Sequence, residues 1–120
     1  MSDTLGHRRK LCFWGWGYED EALTAGEIGR LKEMAQMIGV SGDARPTPEL
    51  AEFELPAPRI AAPQKLAPVL SDLPYDRVTH AYGKSFADLV RLQMRQMSAP
   101  PDRVAFPRTE DDLDALMAFA

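Results

Sequence analysis

Residues 101–113 read P-D-R-V-A-F-P-R-T-E-D-D-L, and this stretch decides the fold class. Residues 104–106 form an apolar run that is typical of a short strand, and Pro107 ends it because proline donates no backbone hydrogen bond. Thr109 and Asp112 then have the spacing of a helix start, where the threonine hydroxyl caps a free backbone N–H. The sequence therefore predicts a short strand followed directly by a helix.

The C-terminal helix is predicted to be amphipathic, with its apolar positions on one face: Leu113, Leu116, Met117 and Ala120. The acidic cluster at Glu110, Asp111, Asp112 and Asp114 suits the positive end of the helix dipole, and we interpret it as a solvated helix start. A lone strand leaves backbone groups unpaired, which is costly when they are buried. We therefore expect a second strand to follow beyond residue 120.

Two further helices are predicted upstream. Thr24 and Glu27 form a capping box before an apolar stripe, and Gly39 stands where a left-handed helix end is expected. Ser85 and Asp88 begin another helix, which residues 99–101 (A-P-P) end and whose apolar side is predicted to comprise Phe86, Leu89, Val90, Met94 and Met97.

Between these helices, residues 43–74 contain seven prolines and cannot form one long helix. Apolar residues recur throughout, so the stretch is predicted to be an ordered wrap with short helical turns near 47–53 and 63–70. Residues 78–82 alternate weakly and are predicted to be a short strand. His80, within them, is interpreted as a half-buried structural histidine.

Composition excludes several functional classes. The chain has 120 residues, of which 45% are hydrophobic, and 14 basic against 18 acidic residues give a net charge of −4. Nucleic acid and anionic lipid are therefore disfavoured as partners, and the short basic run at 7–10 does not change this. The single Cys12 cannot form an internal disulfide, and no run is long enough for a transmembrane segment. We expect a cytoplasmic protein.

No complete catalytic or metal-binding motif is found. Residues 83–85 (G-K-S) lack the earlier glycine of a phosphate loop, and residues 15–17 (G-W-G) lack the third glycine of a dinucleotide site. His7, His80 and Cys12 do not have zinc-ligand spacing, and no nucleophile elbow indicates a hydrolase. We therefore predict no catalytic, cofactor-binding or metal-binding residue in this chain.

The aromatic segment at 13–18 (F-W-G-W-G-Y) is interpreted as a docking arm. In an extended chain, Trp14 and Trp16 would point to the same side, and the glycines would allow close approach to a surface. The arm is predicted to pack against a larger body and to support folding.

This arm, together with residues 81–89 (A-Y-G-K-S-F-A-D-L) and 101–113, resembles the N-terminal region of FAD-linked oxidases of the vanillyl-alcohol oxidase (PCMH-type) superfamily, closest to the alkyldihydroxyacetonephosphate synthase branch. In that superfamily, the motif P-D-x-V-x-x-P begins the flavin-binding domain. A second strand and a Gly-rich loop that holds the FAD pyrophosphate then follow. Residues 84–120 contain no glycine, so the loop has no counterpart here.

The resemblance implies an α+β fold that is mainly helical with an extended Pro-rich segment. Residues 1–23 would be the docking arm, 24–99 a helical and Pro-rich region, and 100–120 the first strand and helix of an incomplete FAD-binding domain.

The resemblance also implies an N-terminal fragment of an FAD-dependent oxidoreductase. The parent would bind FAD and either oxidise a hydroxyl-bearing substrate or exchange an acyl for an alkyl group on a glycerone phosphate. The chain alone would be inactive and bind no FAD. Its partners would be the remaining FAD-binding and substrate domains, with a homodimer possible. The alternative is a stand-alone helical protein-interaction module that uses the tryptophan arm.

Overall fold

The computed structural model describes residues 9–120, which fall into two compact units that divide between Thr47 and Pro48. The mixed α and β composition expected from the sequence is confirmed. The helices are α1 (Ala25–Met37), α2 (Pro74–Thr79), α3 (Phe86–Gln93) and α4 (Glu110–Phe119); the strands are β1 (Leu70–Ser71) and β2 (Val104–Ala105); and short 3-10 turns span Glu19–Glu21, Leu50–Glu52 and Ala67–Val69.

The first unit begins with a tight hairpin instead of an extended arm. Leu11 and Tyr18 form an antiparallel bridge, and the Cys12 N–H donates to the Gly17 carbonyl at 3.0 Å. Gly17 has a φ of +89°, a conformation that side chains rarely adopt. The chain therefore reverses within residues 13–16, which include both tryptophans, and the expectation of an extended segment was wrong.

Helix α1 begins as predicted. The Thr24 hydroxyl accepts the Glu27 N–H at 3.3 Å, and the Glu27 carboxylate accepts the Thr24 N–H at 2.8 Å. These bonds hold the pKa of Glu27 below its ordinary value. At the other end, Gly39 has a φ of +80° and closes the helix with the predicted left-handed turn.

Replacing Thr24 with alanine should lower the stability of α1 by about 1 kcal/mol, because an N-cap is lost from a helix that buries no residue. The measurement is amide hydrogen exchange in residues 27–37. Thr47→Ala is the matched control, since Thr47 caps no helix. Equal protection in the Thr24 variant and the wild type would contradict the prediction.

In the second unit, the Pro-rich segment forms the two short helical turns that were predicted, at Leu50–Glu52 and Ala67–Val69. The strand predicted at 78–82 was wrong, because α2 occupies Pro74–Thr79. Pro74 at the helix start fixes a helical φ, and this overrides the weak alternation that follows. His80 ends this helix and is exposed, so its interpretation as half-buried was also wrong.

The predicted strand at 104–106 exists as β2, but it is not alone. Leu70 pairs with Ala105 and Ser71 with Val104 in an antiparallel ribbon, and the Phe106 N–H donates to the Val69 carbonyl at 2.8 Å. The expectation that its partner strand lies beyond residue 120 was therefore wrong for this edge of β2. The partner comes from the end of the Pro-rich segment.

Helix α3 begins at Ser85 with the predicted capping box but ends at Gln93, earlier than expected. Arg95 then adopts a φ of +57°, and its N–H donates to the Leu92 carbonyl. The buried residue of α3 is Leu92, whereas Phe86 and Met94 on the predicted apolar side are exposed. Arg91 pairs with Asp88 at 2.9 Å, three residues away on the same helix.

The buried apolar residues of the second unit come from the Pro-rich segment, α2, α3 and β2: Phe53, Leu66, Val69, Val78, Leu92 and Val104. The ribbon contributes to this buried region through Val69, the residue before β1, and Val104, the first residue of β2. Among residues 9–120, no helix is long and apolar enough to cross a membrane.

Candidate functional site

The C-terminal strand–helix unit borders an open apolar groove of about 520 Å³. Helix α4 supplies one wall and the β1–β2 ribbon another, and the apolar lining includes Ile60, Leu70, Ala105, Leu113, Leu116 and Met117. Met117 is 70% exposed, and Ile60 and Leu113 are about half exposed. An apolar groove of this kind is a common feature of a packing or docking surface.

A charged cluster lies directly before β2, at the rim of this groove. Asp102 accepts hydrogen bonds from the Arg59 backbone N–H at 3.1 Å and from the Arg59 guanidinium at 2.9 Å. In return, Arg103 donates from Nε to the Ile60 carbonyl at 2.6 Å and pairs with Asp72 at 3.4 Å. The segments 59–60 and 102–103 are therefore joined by hydrogen bonds that each of them donates to the other.

The third arginine of the cluster comes from α2. Arg77 is only 4% exposed and donates from Nε to the Pro101 carbonyl at 2.8 Å. Its Nη2 is buried and has no hydrogen-bond partner within residues 9–120. We call Arg59, Arg77, Asp102 and Arg103 the clasp.

Electrostatics within the clasp favour ionised Asp102. Hydrogen bonds from the Arg59 side chain, and then from its backbone N–H, hold the pKa of Asp102 below its ordinary value, and the charges of Arg59 and Arg77 add to this. The Asp102 side chain is 9% exposed. The buried guanidinium of Arg77 interacts with this carboxylate through its charge, while its Nε–H donates to the Pro101 carbonyl.

The described helices of eight or more residues use their own side chains at their N-termini. Thr109 accepts the Asp112 N–H at 3.1 Å in α4, and the Asp112 carboxylate accepts the Arg108 N–H at 3.0 Å. Acidic residues also stand in the first turn of α1 and α3. These carboxylates would repel a pyrophosphate, which binds to free N–H groups at a helix start. These three helix starts therefore do not fit the phosphates of FAD.

Residues of the incomplete motifs found in the sequence form contacts within the described structure. Gly83 precedes the α3 cap, and a Cβ added there would lie 3.3 Å from the Asp88 carboxylate, which bonds to Ser85. Cys12 is buried, with its Sγ 3.4 Å from the Trp16 carbonyl, while His80 contacts Phe106 edge-on. His7 lies outside the described residues. Within those described, no three His, Cys, Asp or Glu side chains are grouped to hold a metal.

The clasp was not predicted from the sequence. Asp102 was part of the recognised P-D-x-V motif, but its partner Arg59 lies 43 residues earlier in a segment without regular structure. The spacing of these residues in the sequence identifies no pairing between them.

The candidate site is thus an open apolar groove bordered by a short strand and a helix. An alkyldihydroxyacetonephosphate synthase from Trypanosoma brucei brucei is 36% identical over an alignment of 87 residues, and the match covers 63% of this chain and 14% of that protein. The protein of the same name from Dictyostelium discoideum is 33% identical over 51 residues, 42% of this chain and 8% of that protein.

These two relatives confirm the resemblance to the alkyldihydroxyacetonephosphate synthase branch of the FAD-linked oxidases. The chain spans about one seventh of the first relative's length and less of the second's. No family model matches the chain. No solved structure matches it.

Proposed function

We propose that this chain is an N-terminal segment of an FAD-dependent enzyme similar to alkyldihydroxyacetonephosphate synthase. The similarity to the Trypanosoma brucei brucei protein over 63% of the chain carries the proposal. Residues 100–120 would supply the first strand and helix of the flavin-binding domain. The names of the relatives favour exchange of an acyl for an alkyl group on a glycerone phosphate over oxidation of a hydroxyl-bearing substrate.

In this proposal, the chain itself contributes structure and no chemistry. Residues 84–120 contain no glycine, and the N-termini of α1, α3 and α4 have their own acidic residues, so no flavin-phosphate site is formed by these elements. The flavin and the catalytic residues would be held by the rest of the parent. The apolar groove beside α4 supports this division, because burying such a surface against another domain is favourable.

The test is an exchange of segments. The matched segment of the Trypanosoma brucei brucei synthase is replaced by this chain, and flavin retention after gel filtration is measured from the visible absorption band. We expect the hybrid to retain flavin and this chain alone to retain none. In the matched control, residues 101–120 of the hybrid are replaced by a Gly/Ser linker, and flavin should be lost.

Two results would contradict the proposal. One is flavin retained by the 120-residue chain alone. The other is a folded hybrid that lacks flavin while the unaltered synthase, purified in the same way, retains it. The reading frame after Ala120 gives an independent check, since a Gly-rich loop encoded shortly downstream is expected for the enzyme.

A second function is supported by the exposure of Trp16, which is 70% exposed in the first unit. An exposed tryptophan beside Leu11 and Tyr18 suits a stand-alone interaction module that binds a partner protein. The two functions differ in the behaviour of the purified chain. A clean monomer with one sharp thermal transition favours the module, whereas self-association through exposed apolar surface favours a segment of a larger enzyme.

A further inference from the structure

Helix α4 is poorly anchored by packing. It contains no buried residue, and its apolar side chains face the open groove. The strand that leads into it, β2, is two residues long and pairs only with β1 within residues 9–120. Elements with few buried contacts open at low free energy, so some other feature must fix the direction of α4.

The clasp lies at the point where that direction is set. Three successive residues before β2 form hydrogen bonds with other parts of the second unit. The Pro101 carbonyl accepts from Arg77 in α2, the Asp102 carboxylate accepts from Arg59, and Arg103 donates to the Ile60 carbonyl. These bonds join the residues before β2 to two other parts of the second unit, the segment at 59–60 and α2. Because charged hydrogen bonds are shorter and stronger than neutral ones, this set restrains the backbone more firmly than the two-residue ribbon does.

We propose that the clasp is a positioning device in which ionised Asp102 fixes the direction of β2 and α4. Loss of its charge frees residues 104–119 as one segment, while α2 and α3 stay folded. This inference concerns the chain itself and does not depend on the proposed flavoenzyme.

The physical reason lies in Arg77. Its guanidinium is buried and donates to the Pro101 carbonyl, the residue before Asp102, and loss of the Asp102 charge would remove a favourable electrostatic interaction from it. A buried cation without a counter-charge is unstable, and the least costly relief is for residues 101–103 to move away and admit water. Arg59 differs because its side chain is 84% exposed, so its loss removes bonds without burying a charge.

The experiment is amide hydrogen exchange of the whole chain, read by peptide mass spectrometry. In Asp102→Asn, we expect exchange in residues 104–119 to be on the order of tenfold faster, with residues 77–80 and 89–94 changed far less. Asp102→Glu keeps the charge and should restore most of the protection. Asp43→Asn is the matched control, since Asp43 forms an exposed ion pair with Lys32 in the first unit.

If the Asp102→Asn protein does not fold, the Arg59→Ala variant provides a second test. It should accelerate exchange in the same segment by a smaller factor, because Arg77 still donates to the Pro101 carbonyl and the Asp102 charge is kept. Three results would overturn the proposal: unchanged exchange in 104–119, equal acceleration throughout the second unit, or an Asp102→Glu protein that exchanges as fast as Asp102→Asn. Any of these would show that the Asp102 charge does not position β2 and α4.

Discussion

Replacing Phe13 with alanine is expected to lower the free energy of unfolding of the first unit by about 3–5 kcal/mol. Phe13 is 4% exposed, and its ring meets Trp14 edge-on with 5.2 Å between the centroids. Truncation removes both the buried apolar surface and the aromatic contact, and it leaves a cavity. Because small domains are stable by only about 5–15 kcal/mol, this is a large fraction of the total.

The measurement is urea unfolding followed by tryptophan fluorescence. Trp16→Ala is the control, since Trp16 lies three residues away and is mostly exposed. We expect that control to change stability by less than about 0.5 kcal/mol, as is usual for surface substitutions. A larger loss in the Trp16 variant than in the Phe13 variant would show that the arm is held by its tryptophans, as its sequence first suggested.

The second large effect is expected at Arg77. Arg77→Ala should destabilise the second unit by about 3 kcal/mol, because it removes a charged hydrogen bond to Pro101 from a buried side chain and a cation whose charge favours ionised Asp102. Arg77→Met keeps much of the side-chain volume and should cost less than half as much. Both values are measured from urea unfolding of the whole chain.

Arg108→Ala is the matched control for Arg77. Arg108 also pairs with an aspartate, Asp112, but at 3.5 Å and with a mostly exposed side chain. Such surface pairs contribute less than about 1 kcal/mol. If Arg77→Met were as damaging as Arg77→Ala, the guanidinium charge would matter more than its volume. If neither Arg77 substitution changed the free energy of unfolding, the buried Arg77 side chain would not contribute to stability.

The features predicted correctly from the sequence are those with local signals. Thr24, Ser85 and Thr109 each cap a helix, because a capping side chain and the N–H it accepts are three residues apart in the chain. Gly39 ends α1 for a similarly local reason. Local patterns of this kind can be recognised without knowing the tertiary structure.

The errors concern interactions between distant residues. The partner of β2 is Leu70–Ser71, a two-residue strand inside a Pro-rich stretch that has no strand pattern of its own. Residues 78–82 alternate like a strand, yet Pro74 and Asp76 begin a helix before them. The apolar side predicted for α3 did not include Leu92, which is the buried residue of this helix. Burial of Leu92 depends on the residues that surround it in space.

The candidate site shows the same difference between local signals and interactions of distant residues. The P-D-x-V motif at 101–104 was recognised, and the curated relatives confirm the resemblance that it indicated. The four-residue clasp around it was not foreseen, since Arg59 and Arg77 are brought to Asp102 only by the path of the Pro-rich segment and α2. Charged pairs separated by tens of residues leave no periodic trace in a sequence.

The clasp and the β1–β2 ribbon also bear on the order in which the second unit folds. Arg59 and Asp102 are 43 residues apart, and closing so long a loop costs more entropy than forming a helix from adjacent residues. Contacts of high sequence separation slow folding, so α3 should gain structure before β2 docks. During synthesis, Leu70 and Ser71 must wait until residues 104–105 have left the ribosome. Until then, the edge of β1 is exposed to pairing with other chains.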